Sequence, residues 1–170
     1  MGRLTGRNCL VTGAARGIGL AFAQGLVREG ANVTLVDIDL SVADVAARLN
    51  REIAGPGAGR SIGVKADVSE REDIRAAVER TAKEFGSLDV MFNNAGINKP
   101  LNFMDVTEEN WNLVMRVNAF SVLIGTQEAA RQMIAQDKGG KVVNTASVAG
   151  RQGYGNMAPY SASKAAVLSL

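Results

Sequence analysis

Short apolar runs alternate with stretches of helical periodicity along the whole chain. Asn8-Cys9-Leu10-Val11-Thr12 reads as a short buried strand, followed by glycines and a helix over about Gly17–Glu29. Asn32–Asp37 (NVTLVD) is a second strand closed by acidic residues, and Ser41–Ile53 a second helix. The cluster Gly55-Pro56-Gly57-Ala58-Gly59 breaks both periods and marks a surface turn. Ser61–Ala66 is a third and weaker strand, after which Ser69-Glu70-Arg71-Glu72 fits a capping box opening a helix to about Phe85. Leu88–Asn93 (LDVMFN) is the fourth strand. A loop holding Pro100 leads to Thr107, whose hydroxyl can cap a long helix with Glu108 and Glu109 in its first turn. Gly140–Thr145 (GKVVNT) is the fifth strand, and a last helix starts near Pro159.

Continuous apolar strands alternating with helices predict a parallel sheet covered on both faces, because each right-handed crossover lays a helix over the sheet. The expected class is α/β, a Rossmann-type doubly wound sheet forming a single domain over residues 1–170. The chain stops at Leu170 inside a helical pattern, without cap or closing glycine. That reads as an incomplete domain whose sheet ends at the fifth strand.

Composition narrows the chemistry. With 46% hydrophobic and 21% charged residues, the 170-residue chain has the balance of a soluble globular protein. A net charge of +2, with both signs interspersed, gives no footprint for nucleic acid or an anionic membrane. The single cysteine, Cys9, cannot form an internal disulfide and suits a reducing cytosol. No signal-peptide pattern opens the chain and no apolar stretch reaches the ~20 residues that span a bilayer. A soluble, cytoplasmic protein is therefore expected. The absence of histidine excludes Ser–His triads, imidazole ligands and a histidine base, and no metal site is expected. Neutral-pH chemistry falls to Tyr, Lys, Ser, Asn, carboxylates or a cofactor.

The first strand delivers Thr12-Gly13-Ala14-Ala15-Arg16-Gly17-Ile18-Gly19 into a helix. Glycines there permit a tight turn, close approach of backbone to a pyrophosphate, and close helix–strand packing, while the helix N-terminus favours phosphate charge. The spacing is GxxxGxG rather than GxGxxG, and glycines that merely mark a tight turn would look the same. Asp37 closes the second strand about 20 residues on, where an acid can accept bonds from adenosine ribose hydroxyls. It would repel a 2′-phosphate, and Ile38 supplies no compensating charge, so NAD is favoured over NADP. Asp67-Val68 and Asn93-Asn94-Ala95-Gly96 end the third and fourth strands, where open α/β sheets bind ligands, although each alone reads as a turn. Tyr160 and Lys164 lie four apart on one helical face. A free tyrosine is a poor base, but a nearby ammonium stabilises the phenolate. Ser147, just past the fifth strand, could orient a substrate oxygen. An exposed Tyr/Lys pair and a loop serine remain the plainer reading of these three.

Together the motifs resemble the classical short-chain dehydrogenase/reductase family from Arg3 onward. The chain carries TGAARGIG (Thr12–Gly19), NNAG (Asn93–Gly96), Asn118 within MRVNAF, NTAS (Asn144–Ser147) and YSASK (Tyr160–Lys164), with the serine 13 residues before the tyrosine. The resemblance implies Tyr160 as general acid/base and Lys164 as the group that binds the nicotinamide ribose and lowers the tyrosine pKa. It implies Ser147 as the holder of the substrate oxygen, and Asn118 as support for a proton-relay water at a helix irregularity. Gly13, Arg16, Ile18, Asp37, Ile38, Asp67, Val68 and Asn94 match cofactor-contacting positions, as do Tyr160 and Lys164. Family members usually continue for ~80 more residues, long against the usual loop scale, including a loop that covers substrate. The resemblance also implies a homotetramer, in which Val114, Val117, Ala119 and Val122 on the long helix, and Ala162, Ala165 and Ala166 on the last one, would pack between subunits.

The function expected is hydride transfer between NAD and a small secondary alcohol, polyol or the corresponding ketone. Asn98, Gln152 and Asn156 tilt the choice towards a hydroxylated substrate, and Gly150-Arg151-Gln152-Gly153 is similar to polyol-type members. A 3-oxoacyl thioester reductase is the rival within the family, opposed by Asp37. A non-catalytic NAD-binding regulator is opposed by the intact Ser147/Tyr160/Lys164 set. A non-functional fragment, with the fifth strand as an open edge, is the third alternative.

Overall fold

The computed structural model describes residues 2–170. Five parallel strands form one sheet in the order β3-β2-β1-β4-β5. They are β1 (Asn8–Thr12), β2 (Asn32–Asp37), β3 (Ser61–Lys65), β4 (Val90–Asn93) and β5 (Lys141–Asn144). The helices between them are α1 (Gly17–Arg28), α2 (Val42–Glu52), α3 (Arg71–Phe85), α4 (Glu108–Met115), α5 (Ser121–Ala135) and α6 (Ala158–Ser169). This is the doubly wound Rossmann-type architecture that the alternation of strands and helices predicts.

The central strands show why both faces must be covered. Cys9 and Val11 of β1 join Val33 and Leu35 of β2 against Ala23 and Val27 of α1 and Val45 and Leu49 of α2. Their sequence neighbours Leu10 and Val36, with Met91, face the other way onto Ile74 and Val78 of α3 and Ile124 of α5. Successive side chains on a strand alternate sides, so an unbroken apolar run needs a helix layer above and another below. Leu10, Leu35, Leu49, Ile74 and Ile124 are fully buried, each contributing about 1.5–3 kcal/mol of transfer free energy. Thr34 and Thr81 meet inside this core in a 2.8 Å hydroxyl–hydroxyl bond, in which Thr34 donates because the single Thr81 proton goes to the Ala77 carbonyl at 2.8 Å. Their polar atoms are thereby satisfied.

Three local expectations need correction. Ser69 does not cap α3: Glu70 occupies that position, and Ser69 Oγ donates to Asp67 Oδ1 at 2.7 Å. A carboxylate two residues back is the stronger acceptor, and the backbone N–H of Asp67 is taken by Asp73 Oδ2 at 2.8 Å. The long helix after Thr107 is not continuous. Thr107 does cap it, accepting from the Asn110 amide at 3.1 Å, but a π turn over Arg116–Phe120 separates α4 from α5. Finally, Val114, Ala119 and Val122 are buried within the chain, so that stripe packs its own interior. The large apolar side chains that α4 and the π turn leave exposed are Trp111, Leu113 and Phe120.

The strand order turns back between β1 and β4, which lie side by side with Val11 opposite Phe92. At such a switch point the loops leaving the two strands diverge to opposite faces and leave a crevice at their carboxyl ends.

Candidate active site

A cleft of about 750 Å³ opens at that crevice. Its floor is the turn from β1 into α1. Gly13 sits at φ +65°, and a side chain there would fall 2.9 Å from the Ala95 backbone. Glycine is required at this point on both counts. Arg16 occupies the N-cap position of α1 without a side-chain cap bond, so no side chain covers the first amides of that helix. Thr12 ties the turn to the end of β4: its hydroxyl accepts from the amides of Asn94 and Ala95, both at 3.0 Å, and its carbonyl accepts from Asn94 Nδ2 at 2.9 Å.

One end of the cleft is formed by Asp37 and the exposed Ile38. The Asp37 carboxylate accepts from the amide of Ala15 at 2.9 Å and from that of Asp39 at 3.0 Å, which fixes its direction and leaves lone pairs over. Asp67 and Val68 form the wall above β3, with Asp67 Oδ1 held by the amide and hydroxyl of Ser69.

The other end gathers Ser147, Tyr160 and Lys164. Ser147 follows β5 and its Oγ accepts from the Ala149 amide at 3.1 Å, so a 3₁₀ turn over Val148–Gly150 orients the hydroxyl. Pro159 lies in the first turn of α6, which carries Tyr160 and Lys164 on one face. Lys164 is only 4% exposed; its Nζ donates to the Thr145 carbonyl at 2.7 Å and lies 5.8 Å from the centre of the Tyr160 ring. Burial pushes the Lys164 ammonium below the usual lysine range. A side chain on Gly96 would reach within 3.6 Å of Nζ, so the glycine leaves room in front of the amine.

Every residue that the sequence assigns to catalysis or cofactor contact lines this cleft except Asn118. Asn118 is wholly buried behind it, at the π turn, where its Oδ1 accepts from the Ile97 amide at 2.8 Å and its Nδ2 donates to the Ile97 carbonyl at 2.9 Å. Of the three polar residues flanking the expected pocket, only Asn98 lines it. Gln152 and Asn156 are exposed outside it, and Gln152 Nε2 donates to Tyr154 Oη at 2.6 Å. The roles of Thr145, whose carbonyl holds Lys164, and of Ile97, which Asn118 clamps, are not written in their side chains, because both act through backbone atoms.

Among the described residues no cluster of three or more His, Cys, Asp or Glu side chains is gathered. None of the described helices is long and apolar enough to cross a membrane.

Comparison with known proteins adds a family. A family model described as short chain dehydrogenase matches residues 7–170. The chain is 40% identical to a sorbitol dehydrogenase of Cereibacter sphaeroides over 168 residues, 99% of this chain and 63% of that protein. Among solved structures, a short chain dehydrogenase from Mycobacterium smegmatis superimposes with a TM-score of 0.94 at 35% identity, covering 100% of this chain and 70% of the other. An NAD+-bound xylitol dehydrogenase gives 0.89 at 32% identity, covering 98% and 63%.

Proposed function

This chain belongs to the short-chain dehydrogenase family, and on that premise we propose that it is an oxidoreductase moving a hydride between NAD and a polyol or its ketone. The observation that carries the reading is one continuous cleft that joins Asp37, the uncapped turn at Gly13–Ile18 and the Ser147–Tyr160–Lys164 group. Those residues suit an extended dinucleotide: a carboxylate for ribose hydroxyls, a helix N-terminus for the pyrophosphate, and an ammonium for the second ribose. Gly17, at φ +58° with nothing within 4 Å of a would-be side chain, leaves that turn open to a ligand. Arg16, Ile18, Ile38, Asp67, Val68 and Asn94 complete the proposed binding wall. Bound there, a nicotinamide ring supplies the hydride acceptor or donor.

The remaining chemistry is a proton transfer that the chain's own groups perform. In the oxidative direction the Tyr160 oxygen takes the alcohol proton, and in the reductive direction it returns one to the carbonyl oxygen. Lys164 lies beside the Tyr160 ring, where its positive charge favours the phenolate and its free N–H groups face the cleft. Ser147 donates to the substrate oxygen and holds it against Tyr160. Asn118 keeps the Gly96–Ile97 loop and the π turn in register behind them.

Asp37 supports NAD over NADP, since its carboxylate lines the cleft, held in place by the amides of Ala15 and Asp39, and a 2′-phosphate would meet a negative charge there. The NAD+ named in the xylitol dehydrogenase structure agrees with that choice. Asn98 at the cleft and the sorbitol and xylitol dehydrogenases among the similar proteins support a hydroxylated substrate. The chain spans 63% of the sorbitol dehydrogenase's length, and the NAD-binding domain proposed for residues 1–170 is the part assigned here. The working assembly proposed is a cytoplasmic homotetramer, with Trp111 and Phe120 as exposed apolar side chains available for contact, Leu113 lining the cleft instead.

The test is reduction of NAD and NADP against a panel of polyols and simple secondary alcohols. Turnover with NAD and polyols, at least tenfold above NADP, supports the proposal. Equal use of NADP removes the Asp37 argument, and no turnover with any alcohol or ketone removes the activity.

A further inference from the structure

Behind the Tyr160–Lys164 face lies a hydroxyl with no part in the scheme above. Ser163 is fully buried, at 0% exposure, on the side of α6 that meets the π turn. Its Oγ accepts from Asn118 Nδ2 at 3.0 Å and donates to the Tyr160 carbonyl at 2.7 Å.

The directions of these bonds are forced. The Ile97 amide is a donor, so the atom of Asn118 facing it must be Oδ1, which leaves Nδ2 to serve both the Ile97 carbonyl and Ser163. Ser163 receives one N–H and has a single proton to give. That proton goes to the carbonyl of Tyr160, which in the α-helical pattern also accepts from the Lys164 amide. A one-way chain therefore runs from the Gly96–Ile97 loop through Asn118 and Ser163 into the turn of α6 that bears Tyr160 and Lys164. Among the described residues this is the one side-chain hydrogen bond between the π turn and α6.

We propose that Ser163 is a positioning residue. It transmits the fixed orientation of Asn118 to the backbone of Tyr160, and so sets how the phenol and the Lys164 amine stand towards the cleft. The proposal rests on the reading of Tyr160 as the acid/base. Ser163 touches neither substrate nor cofactor, so its removal acts on the chemical step and leaves binding alone. Acting as one link of a connected chain, it differs from a serine that merely bonds back to its own helix, whose loss would register in stability only.

The experiment compares Ser163→Ala, which loses the hydroxyl, with Ser163→Thr, whose hydroxyl can keep the same bond to a carbonyl three residues back. Both are measured for kcat and KM with alcohol and for NAD affinity by calorimetry. Misplacement of reacting groups by fractions of an ångström costs about tenfold or more, so Ser163→Ala should lower kcat by about that factor. KM and the NAD Kd should stay within about twofold, and Ser163→Thr should recover most of kcat. An Ala variant with unchanged kcat overturns the proposal, as does a loss of kcat matched by an equal loss of NAD binding. A folded Thr variant as slow as Ala overturns it too; if Thr does not fold, the kcat–KM split of the Ala variant decides alone. Tyr160→Phe is run alongside. Normal turnover there defeats the parent reading, whereas a silent Tyr160→Phe beside a fully active Ser163→Ala defeats this inference only.

Discussion

Two glycines of α1 separate the demands of the ligand turn from those of the helix. An alanine at Gly19 would place its methyl carbon 2.2 Å from the Gly13 carbonyl oxygen and 2.7 Å from Asn94 Nδ2. The first obstacle is backbone, held by the β1–α1 turn, so no side-chain rotation relieves it. Reaching an ordinary contact requires the turn to open by roughly 1 Å. Such overpacking costs about 1–3 kcal/mol, less a few tenths recovered from the better helix propensity of alanine at a helix start. Gly25 lies on the same helix with nothing within 4 Å, and alanine there should add about 0.5–1 kcal/mol. For a chain of this size each kcal/mol moves the melting temperature by about 2–4 °C. Thermal melts followed by circular dichroism should then show Gly19→Ala falling by several degrees and Gly25→Ala rising by one to four, the range of about 0.5–1 kcal/mol. Calorimetric titration should show NAD binding at least about tenfold weaker for Gly19→Ala and unchanged for Gly25→Ala. A Gly19→Ala protein that melts with the parent and binds NAD normally would refute the packing argument.

Asp37→Ala should weaken NAD binding and narrow the gap to NADP by about tenfold, as expected for loss of a charge-assisted bond and of a repulsive carboxylate together; side-by-side titrations measure it. Cys9 is 1% exposed in the middle of β1, and burial pushes its thiol up to about 12 from an ordinary value of 9.0. The native protein should be inert to a thiol reagent at pH 8 and react fully once denatured. Because the folded value is the higher one, the stability that the neutral thiol contributes is intact below pH 9.0 and lost as pH rises from there through about 12. Urea midpoints across that range should fall less steeply for Cys9→Ala.

The sheet was legible because its physics is written locally. Cys9-Leu10-Val11 is an unbroken apolar run and Val33–Val36 is interrupted only by Thr34, and runs of this kind are stable only between two helix layers. Asp37, Tyr160 and Lys164 were legible for a similar reason: a strand end and an i,i+4 helical spacing place them without reference to distant residues. What lay beyond the sequence depends on partners far along the chain. Asn118 clamps a loop 21 residues away and meets Ser163 45 residues away, while Lys164 bonds a carbonyl 19 residues back. The residue types of Arg116–Phe120 do not by themselves announce a π turn, since the insertion is a property of the backbone ladder; only the family resemblance implied a helix irregularity at Asn118. The stripe of Val114, Ala119 and Val122 reads equally as core or contact surface until the packing of the helix is known.

The central claim is that Tyr160 moves the proton while the cleft around it holds the dinucleotide. It is tested most directly by Tyr160→Phe, assayed for single-turnover NAD reduction at saturating alcohol and, separately, for NAD affinity. General acid–base catalysis contributes about 10²–10⁴-fold, so turnover should fall by at least 10²-fold while the NAD Kd stays within about threefold. A Tyr160→Phe protein that reduces NAD at close to the parental rate contradicts the account.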